Sequence, residues 1–303
     1  MEPNKPKVPR EAVTLYNLFI HGEMSRRDFT EGLQRLAVGG LTVGAMLEAL
    51  MPNYAAGQQV SRTDERIKAT YETVPSPTGN GYVKGYLVRP VSADTRSEKP
   101  SKLPGIIVVH ENRGLNPHIE DIARRLALAN FMAFAPDGLT SVGGFPGDDY
   151  HGGLLFSKVD GKKMAEDFVA AAKWLKARED CTGKIGVTGF CYGGSMSNTL
   201  AFRLGADIQA AVPFYGGPPA KDDISKIKAA ILVHHGELDT RLAATWPDYN
   251  TALSAINVPH EGYIYPGAVH GFNCDATPER YNKPAADLAW GRTIAWFNKY
   301  VAG

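Results

Sequence analysis

Gly189-Phe190-Cys191-Tyr192-Gly193-Gly194 sets a cysteine between glycines two positions to either side. Lys184-Ile185-Gly186-Val187-Thr188 ahead of it reads as a short buried strand, and residues 195–202 can continue as a helix. Strand, glycine turn and helix are the context of a nucleophile elbow, here with sulfur in place of a serine oxygen. A nucleophile on a strained turn leaves no room for side chains two residues away, which is why glycine is wanted there. The cysteine would stand at a helix N-terminus, where the dipole favours a thiolate and free N–H groups can hold an oxyanion. Free cysteines are often only small buried hydrophobes and glycine pairs often only make turns, so the motif needs partners. The glycines fit neither G-x-G-x-x-G nor the P-loop lysine pattern. Ser197 stands where a cysteine-dependent phosphatase loop wants an arginine.

Such a nucleophile asks for an acid and then a histidine, each after a later strand. Residues 230–234 read as a strand running into His235-Gly236-Glu237-Leu238-Asp239, and 262–265 as another, followed by Pro266-Gly267-Ala268-Val269-His270-Gly271-Phe272. Cys191, Asp239 and His270 thus fall in order, each past the carboxyl end of a strand, where open α/β sheets place their ligand sites. Glu237 is a competing acid, and His110, His234, His235 and His260 are competing bases. His110 and His234 end apolar runs and read as structural. His234 and His235 point to opposite faces of an extended segment, a poor metal pair. No metal and no cofactor is expected.

In this combination the chain resembles the dienelactone hydrolase family, a cysteine-nucleophile branch of the α/β-hydrolases. The family pattern G-[FY]-C-x-G-G matches residues 189–194, G-x-x-D matches Gly236 to Asp239, and G-A-x-H-[GS]-F matches Gly267 to Phe272. A family glutamate after an early core strand matches Glu111, which follows Gly105-Ile106-Ile107-Val108-Val109-His110. The likeness spans about residues 65–300. It implies hydrolysis of small esters or lactones through Cys191, His270 and Asp239, with Glu111 helping to activate the resting thiol. The oxyanion hole would be the backbone N–H groups of Tyr192 and Asn112. Family arginines bind a substrate carboxylate. Arg113 stands near the right place, while Arg241 reads better as a solvated loop charge. His118, Phe145, Tyr150, Tyr192 and Phe272 are further candidates to line the pocket. The competing function classes are a catalytically silent binding protein on the same scaffold and a thiol redox protein using Cys191. Redox chemistry would want a C-x-x-C partner, which is absent, leaving only Cys274 to pair with Cys191.

The elements that must position these residues follow. Residues 67–74 and 82–89 alternate in polarity as an antiparallel pair, and 90–104 is a solvated connection. A core strand at 105–110, a helix near 118–129, a strand at 131–135, a long glycine-rich loop at 138–153 and a helix at 164–177 come before the elbow. After it come a strand at 208–214, a helix at 247–256 and a closing helix at 288–301. Cys181 reads as part of a polar turn. The alternation predicts an α/β-hydrolase fold, with a mostly parallel central sheet and helices on both faces. The chain has 303 residues, net charge +1, 44% hydrophobic and 21% charged residues. That composition speaks against nucleic acid, and no apolar run reaches the roughly 18 residues of a membrane span. A small molecule is the expected partner.

Residues 1–60 form a separate region ahead of a hydrolase domain at 61–303. Ser25-Arg26-Arg27-Asp28-Phe29 resembles a twin-arginine export signature, followed by an apolar, glycine- and alanine-rich run at 36–47. Ala55-Ala56-Gly57 offers small residues for cleavage, but Glu48 interrupts the run and Tyr54 spoils the nearest site. The competing reading is a helical extension packed on the domain and a cytoplasmic protein, favoured by the unusually apolar residues 13–20.

Overall fold

Apolar runs that pair side by side build the centre of the molecule. In the computed structural model, which describes residues 8–20, 22–39, 41–91 and 102–303, eight strands form one sheet in the order β1-β2-β4-β3-β5-β6-β7-β8. β1 (Ile67–Ser76) pairs antiparallel with β2 (Gly81–Pro90), and β2 pairs antiparallel with β4 (Met132–Pro136). The other pairings are parallel and join β3 (Leu103–Val109), β4, β5 (Cys181–Phe190), β6 (Ala210–Phe214), β7 (Ala230–Gly236) and β8 (His260–Tyr265). Ile106 and Val108 of β3 enter the core on one face, Ile107 and Val109 the core on the other. Burial on both faces is why these strands read as continuous apolar runs rather than alternating ones.

Helices follow the strands. An N-terminal group holds α1 (Arg10–Ile20), α2 (Arg26–Leu36), α3 (Val43–Leu50) and the short α4 (Tyr54–Gly57). Around the sheet lie α5 (Pro117–Leu128), α6 (Asp149–Phe156), α7 (Gly161–Ala177), α8 (Tyr192–Leu204), α9 (Lys221–Ile224), α10 (Thr240–Ala243), α11 (Trp246–Ala255) and α12 (Lys283–Phe297). α5 and α12 pack on one face, and α7, α8 and α11 on the other.

Two local expectations need correction. The predicted loop at 138–153 instead contains a tight turn at Thr140–Val142 and the start of α6, capped by the Asp148 carboxylate on the His151 N–H. Its glycines disguised the helix. Gly152 abuts the backbone of Arg113, where a Cβ would collide with the carbonyl oxygen. Cys181, read as part of a polar turn, opens β5 and is buried. Within the predicted connection at 90–104, residues 92–101 lie outside the described residues.

The N-terminal helices have a small core of their own. Helices of 8 to 11 residues are marginal alone in water, so their apolar faces must close on something. Val8, Ala12, Val13 and Tyr16 meet Phe29 and Leu33 of α2 and Met46 and Leu50 of α3. The rings of Phe19 and Phe29 stack at 4.8 Å. Each large side chain so buried contributes about 1.5–3 kcal/mol. Ser25 caps α2 by accepting the Asp28 N–H, so the paired arginines form the first turn of a helix. The arm is tied down behind α4, where Asp121 of α5 accepts the N–H groups of Gln59 and Val60. Gly57 lies on the backbone of Asp275 and Ala276 with no room for a Cβ.

Asp121 also receives Arg124 at 3.1 Å, and Arg124 is fully buried. Asp121→Ala takes the nearer of two carboxylates from that guanidinium, leaving Glu120 at 4.0 Å, and leaves two backbone donors unmet. A loss of about 3–5 kcal/mol is expected, read from urea unfolding midpoints.

Candidate active site

β5 ends at Phe190 and α8 begins at Tyr192, so Cys191 alone makes the turn, with φ 54° and ψ −112°. Such a backbone costs about 1–3 kcal/mol in a residue with a Cβ and persists only where neighbours over-determine it. Here the Cys191 N–H donates to the Phe214 carbonyl of β6 at 3.1 Å, and its own carbonyl accepts the N–H groups of Gly194 and Ser195. Gly189 rests on the backbone of Gly193, and Gly193 rests on the carbonyl oxygens of Val109 and His110. A Cβ at either position would collide with main chain, which is the steric cause of the glycine spacing in the sequence.

The same sheet edge carries the other candidates. Glu111, Asn112 and Arg113 follow β3, Asp239 follows β7 and His270 follows β8. β3 and β5 are neighbours from which the chain leaves in opposite directions, to β4 on one side and β6 on the other, the switch point where α/β sheets bind ligands. The acid and histidine loops are joined: Leu238 N–H donates to the Ala268 carbonyl at 2.9 Å, and Gly267 N–H to the Glu237 carboxylate at 2.8 Å. Glu237, the competing acid, is occupied in that clasp.

His270 Nδ1 bonds to Asp239 Oδ2 at 2.6 Å, with both side chains nearly buried. The Cys191 sulfur borders the same cavity as the imidazole and acts on its charge. Burial opposes a charged imidazole, but the negative charge of Cys191 and the hydrogen bonds and charge of Asp239 raise His270 to about 10. Burial likewise pushes the Asp239 carboxyl upward, yet the His270 contact holds it below its ordinary range. The other histidines differ. His234 is fully buried between Thr293 and Tyr265, and burial drives it well below its ordinary value. His235 is lowered to about 4 by burial despite the nearby Asp239. His110 accepts the Gly138 N–H at 2.8 Å. His260 bonds to the Val258 carbonyl and Ser254.

Cys191, His270, Glu111 and Arg113 border a cavity closed from above by Tyr16 and Ile20 of α1. Its free space is about 10 Å³, room for roughly one water. A larger cavity of about 620 Å³ lies between α1, the start of α10 and residues 279–282, and reaches Asp239 and His270. Arg241 lines this second cavity. Several sequence candidates are not brought to the sulfur. His118 is buried against Asp275 at 3.1 Å; Phe272 is fully buried among Phe214, Tyr215 and Tyr265. Phe145 and Tyr150 border neither cavity, and Tyr150 instead lies under the Arg26 guanidinium. The Tyr192 ring packs against Phe156 and Phe168. Sequence reasoning missed Arg280 and Asp149, both of which border the Cys191 cavity. Arg280 is buried, and its Nε has no hydrogen-bond acceptor among the described residues.

Sheet order, strand-turn-helix elbow and the loops at the carboxyl edge define an α/β-hydrolase. The family model of the dienelactone hydrolases matches residues 84–301, and the chain belongs to that family and is a hydrolase. It is 52% identical over 120 residues to YghX of Escherichia coli (strain K12), provisionally named a hydrolase fragment, covering 40% of this chain and 97% of that one. It is 32% identical over 256 residues to a provisionally named carboxymethylenebutenolidase of the same strain, covering 80% and 90% of the two chains. Among solved structures, a provisionally named dienelactone hydrolase from Klebsiella pneumoniae subsp. pneumoniae MGH 78578 superimposes with a TM-score of 0.65 at 30% identity. That match covers 77% of this chain and 99% of the other.

A raised histidine stabilises the fold fully below its ordinary 6.5 and loses that contribution as pH climbs through about 10. Cys191→Ala removes the negative partner, so the His270 pKa falls by about one unit or more. An NMR titration of the ring Cε1–H in both proteins checks this.

Proposed function

We propose that the protein hydrolyses small esters or lactones through Cys191, His270 and Asp239, by way of a thioester acyl-enzyme. The observation that carries this reading is the His270–Asp239 hydrogen bond at the sheet edge, with Cys191 lining the same cavity as that imidazole. A thiolate is the nucleophilic form of cysteine. The Cys191 sulfur forms a bond to the ester carbonyl carbon, and the electron pair moves to the carbonyl oxygen. The N–H of Tyr192, the first of α8 and so without an intrahelical acceptor, and that of Asn112 would receive this oxyanion. Its collapse breaks the C–O bond, and the proton on His270 Nε2 passes to the departing alkoxide. Neutral His270 then takes a proton from water, the hydroxide adds to the thioester, and collapse returns the thiolate beside an imidazolium. Asp239 holds the ring tautomer throughout. Glu111, in the same cavity, would act on the resting thiol.

Arg113 and Arg280 border the cavity as two guanidinium groups, which suits a substrate with a carboxylate beside its ester. Arg280→Ala is expected to raise KM for carboxylate-bearing esters about tenfold while leaving neutral esters within a few-fold. The central test is Cys191→Ala with a panel of activated esters. Turnover is expected to fall about a thousandfold or more, and mass spectrometry of the wild type should find a transient acyl adduct on Cys191. Alanine-variant activity within a few-fold of wild type removes the proposed nucleophile.

A further inference from the structure

The last turn of α1 ends inside the Cys191 cavity. The final carbonyls of a helix have no intrahelical partner, and in α1 they are met in two ways. Leu18 O receives the Glu23 N–H at 2.9 Å and Phe19 O the Gly22 N–H at 3.1 Å, both from the following turn. Ile20 O is met instead by the hydrolase domain, through Asn112 Nδ2 at 2.9 Å and Arg113 Nη2 at 2.8 Å. An amide and a guanidinium converge on one oxygen at the negative end of a helix dipole. A substrate carbonyl or carboxylate oxygen would ask for the same two donors. We propose that Asn112 Nδ2 and Arg113 Nη2 form a substrate-oxygen subsite that the Ile20 carbonyl fills in the closed protein, so that α1 withdraws when an ester reaches Cys191. This deepens the hydrolase reading and rests on it for the identity of the ligand.

Two further observations support the exchange. The free space beside the sulfur is about 10 Å³, enough for roughly one water and too little for any acyl group. The arm is also built to leave as a unit. Its apolar residues cluster among themselves within positions 8–50, while the contacts α1 and α2 make around the cavity are polar. Among the described residues they include the two bonds to Ile20 O, the Arg280 guanidinium over the Tyr16 ring at 5.4 Å, and Arg26 over the Tyr150 ring at 5.0 Å with a hydrogen bond to its hydroxyl at 3.4 Å. The tether at Gln59 and Val60 stays fixed on Asp121, so the arm can swing without losing its attachment.

The test loosens the arm without touching the site. Phe29→Ala removes the stacked ring at the centre of the arm, and Arg26→Ala removes only the contact to Tyr150. Two rates are read in the full-length proteins: alkylation of Cys191 by N-ethylmaleimide, followed by peptide mass spectrometry, and kcat/KM on p-nitrophenyl acetate. Peptide mapping separates Cys191 from the buried Cys181 and Cys274. Phe29→Ala is expected to raise both rates about tenfold and Arg26→Ala about threefold, as a shift toward the open population. Should Phe29→Ala fail to fold, Arg26→Ala is joined by amide exchange in the wild type, where α1 should exchange far faster than β5. Equal alkylation in all three proteins, or α1 amides as protected as those of β5, overturns the proposal. Faster alkylation with no ester turned over by any variant keeps the moving arm and removes the hydrolase reading. Turnover with unchanged alkylation removes the arm's role alone.

Discussion

Gly193 touches the carbonyl oxygens of Val109 and His110, and through that contact the elbow is seated on the end of the neighbouring strand. The separation between the cysteine and the Glu111–Arg113 loop is therefore set by backbone meeting backbone, with no side chain between to compress or rotate. β3 and β5 supply the two halves of this contact from the middle of the sheet, packed on both faces. The loops after β7 and β8 are then clasped to each other by Glu237 and Leu238. Rigid strands, a closed elbow and a pinned pair of loops leave His270 little freedom except between its two partners.

The described residues contain a second cysteine-histidine-aspartate grouping, and the comparison is instructive. His118 bonds to Asp275 at 3.1 Å and, although burial opposes its charge, is likewise raised to about 10 by Cys274 and Asp275. Arg125 and Gln59 hold the Asp275 carboxylate from the other side. Yet Cys274 is only 3% exposed and lacks the left-handed backbone of the elbow. Residue types and a charge relay are common to both groupings. What separates them is the positive φ of Cys191, which puts that residue on the wall of a cavity.

Much of this was legible in the sequence because its causes are local. The strands announced themselves by apolar runs, and the elbow by its glycines, of which Gly189 answers a collision with Gly193 four residues on, although Gly193 answers one with the distant Val109 and His110. The order of acid and histidine followed from loops that each end a strand. The remainder depends on contacts between distant segments. Arg280 lies in no motif, and only the closing of the chain brings it beside Glu111 and Cys191. His118 and Phe272 were near the right loops but face the core, since position after a strand does not say which way a side chain turns. The helix at Asp149–Phe156 was hidden by glycines whose role is close approach to Arg113. Nothing in residues 13–20 revealed that their helix would end against Asn112.

The folded state of the Ser25–Phe29 stretch has a consequence for timing. Arg26 lies across the Tyr150 ring, Arg27 pairs with Glu31 at 3.0 Å, and Phe29 is buried. A receptor that reads paired arginines as an address would find both guanidinium groups in solvent even after that helix has formed, whereas the Phe29 ring is reachable only before. Coiling therefore withdraws the aromatic part of the stretch and leaves its charges outside.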